Sequence, residues 1–490
     1  MMLYRFFMSI LAWGAILGNV GNAQPSPLDS FTNTKRATSP SEATAFAIIY
    51  GYPMIQYAAS LDSVITSVGT NAIFSEKNTA TADEAAIVRP NVDTLYSKIA
   101  VDLSSYEVVI TIPKIDDRFY VFPFYDLWSN NFANLGSLNN TAPGKYLLRH
   151  TPGRSGFESL PKDTGYLGAV NFPTPYGLVL PRILLKNNST DLDIVHAIQD
   201  QIKVEKGRQT IPLAPPLSYE LLGSGTLEPL ALTPPAALDT NSVKALLTVV
   251  ARVAPYNPPA NARDIIPVSS VLRVAGISNG RYSPSTFVNY TEANQIANTA
   301  LTSTEKLIQL FNNEWFDYPP EASGNFHSSY TIRSIIAYTG YLQLVQDEAL
   351  YPEYIGSGIH GLSLAGNESY TLTFSGKPPV KGFWSLTAYN SSSYLIPNPL
   401  NRYSLGDRSS LTYDDSQLVY GTGRNGSFTI LIQPADVAPP VNWTNNWLPA
   451  PAGGGNFTVN LRFYGPTGPL YAGGAYAYPV VKKQAVIVPQ

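Results

Sequence analysis

The sequence contains no cysteine. That absence excludes disulfide scaffolds, thiolate nucleophiles, cysteine-ligated zinc and iron–sulfur clusters. Charge is scarce as well: 14 % of the residues are Asp, Glu, Lys or Arg, against about 25 % in a typical soluble domain. Histidine occurs at only four positions, His150, His196, His327 and His360, none at metal-ligand spacing from another. Lone histidines are mostly satisfied core or surface residues, so no metal is expected. No Gly-x-Ser-x-Gly elbow and no His-Glu-x-x-His helix is present. The sequence Gly356-Ser357-Gly358-Ile359-His360-Gly361 follows a Tyr/Pro turn and precedes no helical pattern, so it lacks the context of a phosphate-binding loop. No nucleotide or other cofactor is therefore expected. No apolar run reaches the ~20 residues that span a bilayer. A net charge of −3 gives no general attraction to nucleic acid or acidic membranes, and neither is expected as a partner.

What replaces the charges is uncharged polarity. The hydrophobic fraction of 44 % is ordinary, and 31 tyrosines stand among many Asn, Ser and Thr. At 490 residues the chain is long enough for two or three domains with sizeable cores. Residues 1–23 read as a signal peptide: Arg5 is the only charge, residues 6–18 are apolar, and Gly21-Asn22-Ala23 offers a small-residue cleavage site. Lys35-Arg36 reads as an accidental dibasic pair rather than a processing site. Nine Asn-x-Ser/Thr sequons, at Asn139, Asn187, Asn188, Asn289, Asn367, Asn390, Asn425, Asn442 and Asn456, agree with a secreted glycoprotein.

Periodicity predicts an α+β chain with two β-sandwich-like domains joined by a helical middle region. The boundaries read as 41–190 for the first β-rich domain, 191–350 for the helical and irregular middle, and 351–480 for the second β-rich domain. A helix is expected over residues 41–60, capped by Ser41, with Ala45, Ile48, Ile49 and Tyr52 on one face. Short β runs follow at 108–113 and 119–122, with Asp116-Asp117 as a hairpin-type turn, and at 178–185. Thr190 is expected to cap a helix carrying Ile194, Ile198 and Ile202. Helical spacing recurs near 240–254, 291–316 and 331–349, and strands return at 370–374, 384–389, 427–433 and 456–464.

One segment stands out. In Arg89-Pro90-Asn91-Val92-Asp93-Thr94-Leu95-Tyr96-Ser97, strand alternation would put Arg89, Asn91, Asp93 and Leu95 on one side and Val92, Thr94 and Tyr96 on the other. An arginine, an amide and a carboxylate on one face must bond one another if buried, because an unpaired buried charge costs several kcal/mol. Such a face is either a structural Arg–Asp network or the polar wall of a ligand pocket. Arg118, Tyr120, Asp126, Asn130 and Asn131 form a second polar cluster in aromatic surroundings. Trp384 to Tyr389, Pro397 to Ser404 with Arg402, Trp447 and Arg462 supply comparable features near the C-terminus.

Here the chain resembles a known pair of domains. Pro90-Asn91-x-Asp93-Thr94-Leu95-Tyr96-Ser97, Arg118-Phe119-Tyr120 and Asp126 resemble the domain of unknown function 1254. Tyr389, Asn398 to Ser404, Asn446-Trp447-Leu448-Pro449 and Arg462-Phe463-Tyr464 resemble the domain of unknown function 1214. Together these motifs cover residues 45–469. The resemblance implies two β-rich domains joined through helices, and a secreted, sequon-bearing form is similar to fungal members. It implies no settled activity. The first motif departs from the usual Asn-Arg-Asp: Val92 replaces the arginine, and Arg89 lies three residues earlier.

Two functional readings remain open. The first is a cofactor-independent enzyme, of hydrolase, isomerase or tailoring type, acting on a small, partly hydrophobic molecule. Asp93 would be its acid or base, Tyr96 or Tyr120 a second proton-transfer group, and Arg89 or Arg118 the stabiliser of negative charge. Asn91, Asp126, Trp384, Arg402 and Trp447 complete the expected substrate contacts. The second is a secreted glycan- or hydrophobic-ligand-binding protein that uses Trp384, Trp443 and Trp447 as stacking platforms. The sequence leaves the oligomeric state open.

Overall fold

The computed structural model describes residues 39–83, 89–186, 191–303, 307–355, 361–421 and 423–489. The expected signal peptide, Lys35-Arg36, Asn187, Asn188, Thr190 and all but the last residue of the 356–361 glycine motif lie outside these residues.

The fold is mixed α+β, with several sheets and a helical body. Helices α1 (Pro40–Gly51), α2 (Pro53–Val68), α4 (Thr240–Val253), α5 (Ile265–Val274), α6 (Tyr290–Thr302) and α7 (Tyr330–Thr339) share one apolar core, while α3 (Leu192–Gln199) stands apart. The single helix expected over 41–60 is two helices. Ser39, not Ser41, caps α1 in a capping box with Glu42, and Pro53 starts α2 after the junction at Tyr52. Ser41 is buried and instead accepts from the Asn289 N–H at 3.2 Å. In α4 the Asp239 side chain accepts from Ser242 N, and Val243, Leu246, Leu247, Val250 and Val253 form the buried stripe.

The first β region is a sandwich of two sheets. One runs Phe74–Ser75, Thr94–Asp102, Arg182–Leu184, Tyr120–Asp126, Asn131–Gly136, with Tyr176–Val179 pairing both Thr94–Asp102 and Tyr120–Asp126. The other runs Lys203–Gln209, Tyr106–Ile112, Gly144–His150, Gly168–Phe172, Gly156–Ser159. Ile99, Val101, Ile110, Phe122, Phe124, Leu148 and Val170 fill the space between them. Asp116-Asp117 is no hairpin turn, because the strands on either side belong to different sheets. The expected strand at 178–185 is two strands, separated at Leu180-Pro181, where proline has no N–H to donate to a ladder. Of the isoleucine stripe expected on α3, Ile194 is exposed, Ile198 packs half-buried against the core and Ile202, past the helix end, is buried, while Val195 and Gln199 are the buried residues of the helix itself.

The C-terminal region packs an eight-stranded sheet, built around Gly454–Tyr464 and Trp384–Asn390, on a four-stranded sheet of Trp447–Ala450, Phe428–Pro434, Glu368–Phe374 and Val480–Ala485. The helical pattern at 291–316 stops at Thr302 and gives way to strands Gln309–Leu310 and Trp315–Asp317. That at 331–349 stops at Gly340, and Leu342 takes a left-handed φ of 63°.

Buried tyrosines take over part of the work that charged groups do elsewhere. Their hydroxyls donate to distant backbone carbonyls: Tyr52 to Thr233 at 2.6 Å, Tyr57 to Gly177 at 2.9 Å, Tyr125 to Leu342 at 2.7 Å and Tyr478 to Leu470 at 2.6 Å. A phenol reaches across a core and ends a loop's hydrogen-bond debt without burying a charge. Among the described residues no helix is long and apolar enough to cross a membrane.

Candidate functional site

The segment that carries the first motif is a plug between the two β regions. It is not the regular strand that alternation predicts. Arg89 has a left-handed φ of 49°, Pro90 has no N–H, and the Asn91 side-chain oxygen accepts from Asp93 N at 2.6 Å and Thr94 N at 3.3 Å. This local Asx-type turn delays the strand until Thr94. Arg89, Pro90, Asn91 and Asp93 consequently point into the C-terminal region.

Each polar group of the plug meets a partner there. Ser385 donates to Asp93 Oδ2 at 2.6 Å, Ser404 to Oδ1 at 3.3 Å, and Arg408 forms an ion pair with the same Oδ1. Arg408 also lies 3.2 Å from Asp407, whose carboxyl burial pushes up to about 6 against the pull of Arg408. Arg89 pairs with Glu353. Tyr389 donates to the Pro90 carbonyl at 2.9 Å, and Arg462 donates to Thr387 at 2.8 Å, to the Arg89 carbonyl at 3.2 Å and to the Tyr389 hydroxyl. Burial raises the Tyr389 pKa, and Arg462 opposes that rise. Both Asp93 oxygens are thus occupied by donors from the other region. A carboxylate withdrawn from water needs such donors, because an unpartnered one is costly to bury.

Beside the plug lies a second cluster. Arg182 sits at the start of strand Arg182–Leu184, in register with Tyr96 on one side and Val121 on the other. It donates to the Leu342 carbonyl at 2.6 Å and to the Tyr125 hydroxyl at 3.1 Å, and its guanidinium lies 5.5 Å from the Tyr96 ring centroid. Tyr351 and Tyr464 face the same guanidinium from the C-terminal region. Asn91 joins the two clusters by donating to Tyr464 at 2.7 Å. Arg182 and the Tyr351 hydroxyl are buried, and Tyr96 and Tyr351 as whole residues are half-buried. An apolar seam of Phe119, Val121, Leu184, Leu344, Phe383 and Tyr464 flanks it, with the Phe383 and Tyr464 rings stacked at 4.1 Å.

Of the residues singled out in the sequence, Arg89, Asn91, Asp93 and Tyr96 are brought together, and Tyr389, Ser404, Arg462 and Tyr464 of the C-terminal motifs join them. The others are elsewhere. Arg118 makes a bidentate pair with Asp191 at 2.7 and 3.0 Å and donates to the Leu184 carbonyl. Tyr120 donates to the Thr141 carbonyl at 3.2 Å. Asp126 accepts from the Trp128 and Asn130 backbone and from the Asn130 amide. Arg402 donates to the carbonyls of Thr444 and Trp447. Trp384 and Trp447 are interior, their indoles donating to the Tyr420 hydroxyl at 2.5 Å and the Gln433 carbonyl at 3.2 Å, so neither presents an exposed stacking face. Among the sequons, Asn139, Asn289, Asn367, Asn425, Asn442 and Asn456 are exposed and Asn390 is half-buried.

Sequence reading missed Arg182, Tyr125 and Tyr351, and reached Tyr464 only as the end of the Arg462-Phe463-Tyr464 motif. The available signal was one arginine inside the otherwise apolar run 178–185. Tyr125 and Tyr351 carried none, being two among 31.

Residues 70–206 match the family model described as "Protein of unknown function (DUF1254)", and residues 348–468 match "Protein of unknown function (DUF1214)". No curated protein matches the sequence. Among solved structures, the VPA0106 protein from Vibrio parahaemolyticus is similar at 17 % identity and a TM-score of 0.58, covering 91 % of this chain and 99 % of its own. An uncharacterised protein from Burkholderia cenocepacia aligns at 13 % identity and a TM-score of 0.43, covering 91 % of this chain and 94 % of its own. The fold is that of the Vibrio protein, and the chain carries an N-terminal DUF1254 domain followed by a C-terminal DUF1214 domain.

Proposed function

We propose that this protein is an enzyme acting on a small, partly hydrophobic molecule by acid–base chemistry of its own side chains, with tyrosine as the proton-transfer group. One observation carries the reading: half-buried Tyr96 lies against the buried Arg182 guanidinium where Tyr125, Tyr351 and Tyr464 converge. A guanidinium in that position stabilises negative charge developing on a substrate. Asp93, with both oxygens held by donors, positions the plug and leaves proton transfer to Tyr96. The substrate lies against half-buried Tyr96, beside the closed apolar seam of Phe119, Phe383 and Tyr464.

Secretion and glycosylation belong to the same proposal, supported by the sequence of residues 1–23 and by the exposure of six sequons. Expression of the full chain in a eukaryotic host should deliver it to the medium, with a mass that falls on endoglycosidase treatment. Retention in the cell, unglycosylated, overturns this part.

The catalytic reading is tested by incubating the purified protein with a panel of small hydrophobic esters, lactones and enolisable ketones, followed by mass spectrometry. Turnover should be lost in Tyr96→Phe at an unchanged melting temperature. Panel members that bind and return unchanged would assign this site to a binding protein.

A further inference from the structure

We infer that the outer face of the sheet holding strands Tyr106–Ile112 and Lys203–Gln209 carries a binding groove for a small neutral saccharide. The inference is independent of the proposed chemistry. Tyr96 stands on the outer face of the other sheet, across the sandwich core.

Strand alternation builds the floor. Val108 and Ile110 enter the sandwich core, so Val109 between them faces outward. Leu147 and Glu205 stand opposite Val109 on the two neighbouring strands and share its face. Lys145, two residues before Leu147, shares it as well.

The walls come from either side of that floor. Residues 160–166 fold back over the sheet, with Leu160 and half-buried Tyr166 packed on Val109, Leu147 and Ala169. This wall is tied down. The Thr164 hydroxyl donates to the Pro161 carbonyl at 2.7 Å, and Leu167 N donates to the Lys145 carbonyl at 2.9 Å. Gly165 takes a left-handed φ of 77°, and a Cβ there would meet nothing within 4 Å. The facing wall is strand Lys203–Gln209, whose pairing slips between Lys206 and Gln209 at a bulge that contains Gly207. Between the walls lies a groove of about 400 Å³, bordered by Val109, Lys145, Gly165, Tyr166, Glu205 and Gly207. That is the small end of ligand-binding clefts, which run roughly 300–1,000 Å³.

The side chains of the groove select the ligand. Lys145 and Glu205 form an ion pair at 3.2 Å, each side chain more than half exposed. The pair is neutral as a unit, so an anion in the groove would meet Glu205 and a cation would meet Lys145. Each partner still has hydrogen-bonding capacity to spare, N–H donors on the ammonium and lone pairs on the carboxylate. Adjacent sugar hydroxyls, which donate and accept at once, use both. The apolar part of the groove, Val109 and the Tyr166 ring, suits the C–H face of a sugar ring. A wholly apolar ligand fits less well, because it would strip water from the ion pair and return no hydrogen bond.

The test titrates the full-length protein by calorimetry, after endoglycosidase treatment so that no attached glycan competes. The probes are glucose, mannose, galactose and N-acetylglucosamine, with cellobiose, mannobiose, lactose and chitobiose. At least one should bind in the millimolar range or tighter, equally at low and high salt. Glu205→Ala and Tyr166→Ala should each weaken that sugar about tenfold. Glu205 is exposed, so its variant should keep the wild-type melting temperature even where Tyr166→Ala does not. Glu368→Ala, which breaks the exposed Lys483–Glu368 pair of the C-terminal region, should leave the titration unchanged. Failure of every sugar to bind, or undiminished binding in Glu205→Ala, overturns the inference. Salt-sensitive binding of inorganic phosphate without any sugar binding overturns it too, and assigns the groove to an anion. Tyr96→Phe should leave the sugar titrations untouched, so loss of turnover and loss of sugar binding are read separately.

Discussion

The Ser385 hydroxyl donates to Asp93 Oδ2 at 2.6 Å, joining strand Trp384–Asn390 of the C-terminal region to a turn that lies 292 residues earlier in the chain. With Arg408 and Ser404 on the other oxygen, this bond seats the plug. The polar seat sits next to an apolar seam, so the two regions are held by both kinds of contact.

Asp93→Asn should destabilise the protein by about 3 kcal/mol, because it removes the buried charge that Arg408 and two hydroxyls hold and leaves Arg408 only Asp407. Ser385→Ala should cost about 1 kcal/mol. Chemical denaturation of the two single variants and the double variant gives their coupling. An Asp93→Asn protein of wild-type stability that has lost all activity would return Asp93 to the catalytic machinery.

Asp62 of α2 is buried, and neither carboxylate oxygen has a hydrogen-bond partner among the described residues. Burial, with the Glu228 charge nearby, pushes its pKa from 3.8 up to about 7. The folded state thus holds the proton more tightly than the unfolded chain. The resulting penalty is absent below about pH 4, grows as pH rises toward 7, and is constant above that. Asp62→Asn should stabilise the protein at pH 8 by on the order of 2 kcal/mol and hardly at all at pH 4. Burial also raises Asp317 to about 7, so the variant keeps part of the wild-type slope. Urea titrations at the two pH values measure the difference, and an equal effect at both would refute the assignment.

Arg333→Lys should lower stability by about 2 kcal/mol despite keeping the charge. A planar guanidinium meets three aromatic faces and the Tyr50 carbonyl at once, which an ammonium does not reproduce. Thermal unfolding, with near-ultraviolet circular dichroism reporting on Trp128, reads the loss.

Gly51 ends α1 where α4 crosses closely: a Cβ there would lie 2.5 Å from Val250 Cγ2. Gly51→Ala should therefore cost about 1–3 kcal/mol by overpacking. In a Val250→Ala background the added methyl should do less harm. Additive losses in the double variant would show that the two positions do not compete for the same space.

The fold class was legible because strand and helix periods are written locally. Val108 to Ile112 alternates little but is β-branched and sits between turns, and the stripe of α4 repeats at three and four residues. What local pattern could not reveal was pairing. Asp116-Asp117 looks like a hairpin turn whether its flanking strands pair or diverge into separate sheets. The plug was conspicuous through Arg89 and Asp93, yet its geometry depends on Asn91 capturing two N–H groups and on partners near residues 385 and 460. Arg182 was hidden for the opposite reason. Its neighbours are apolar in sequence, and the tyrosines that surround it come from strands and loops spread between positions 96 and 464.

The plug also constrains how the chain is made. When Asp93 leaves the ribosome, Ser385 is 292 residues and Arg408 is 315 residues from being synthesised. The first β sandwich can close around its own core during that interval, but its acidic turn has no counter-charge until the C-terminal region arrives. Elongation at roughly 5–20 residues per second leaves that turn waiting for tens of seconds. A nascent chain halted before the C-terminal region should therefore be the form that chaperones hold.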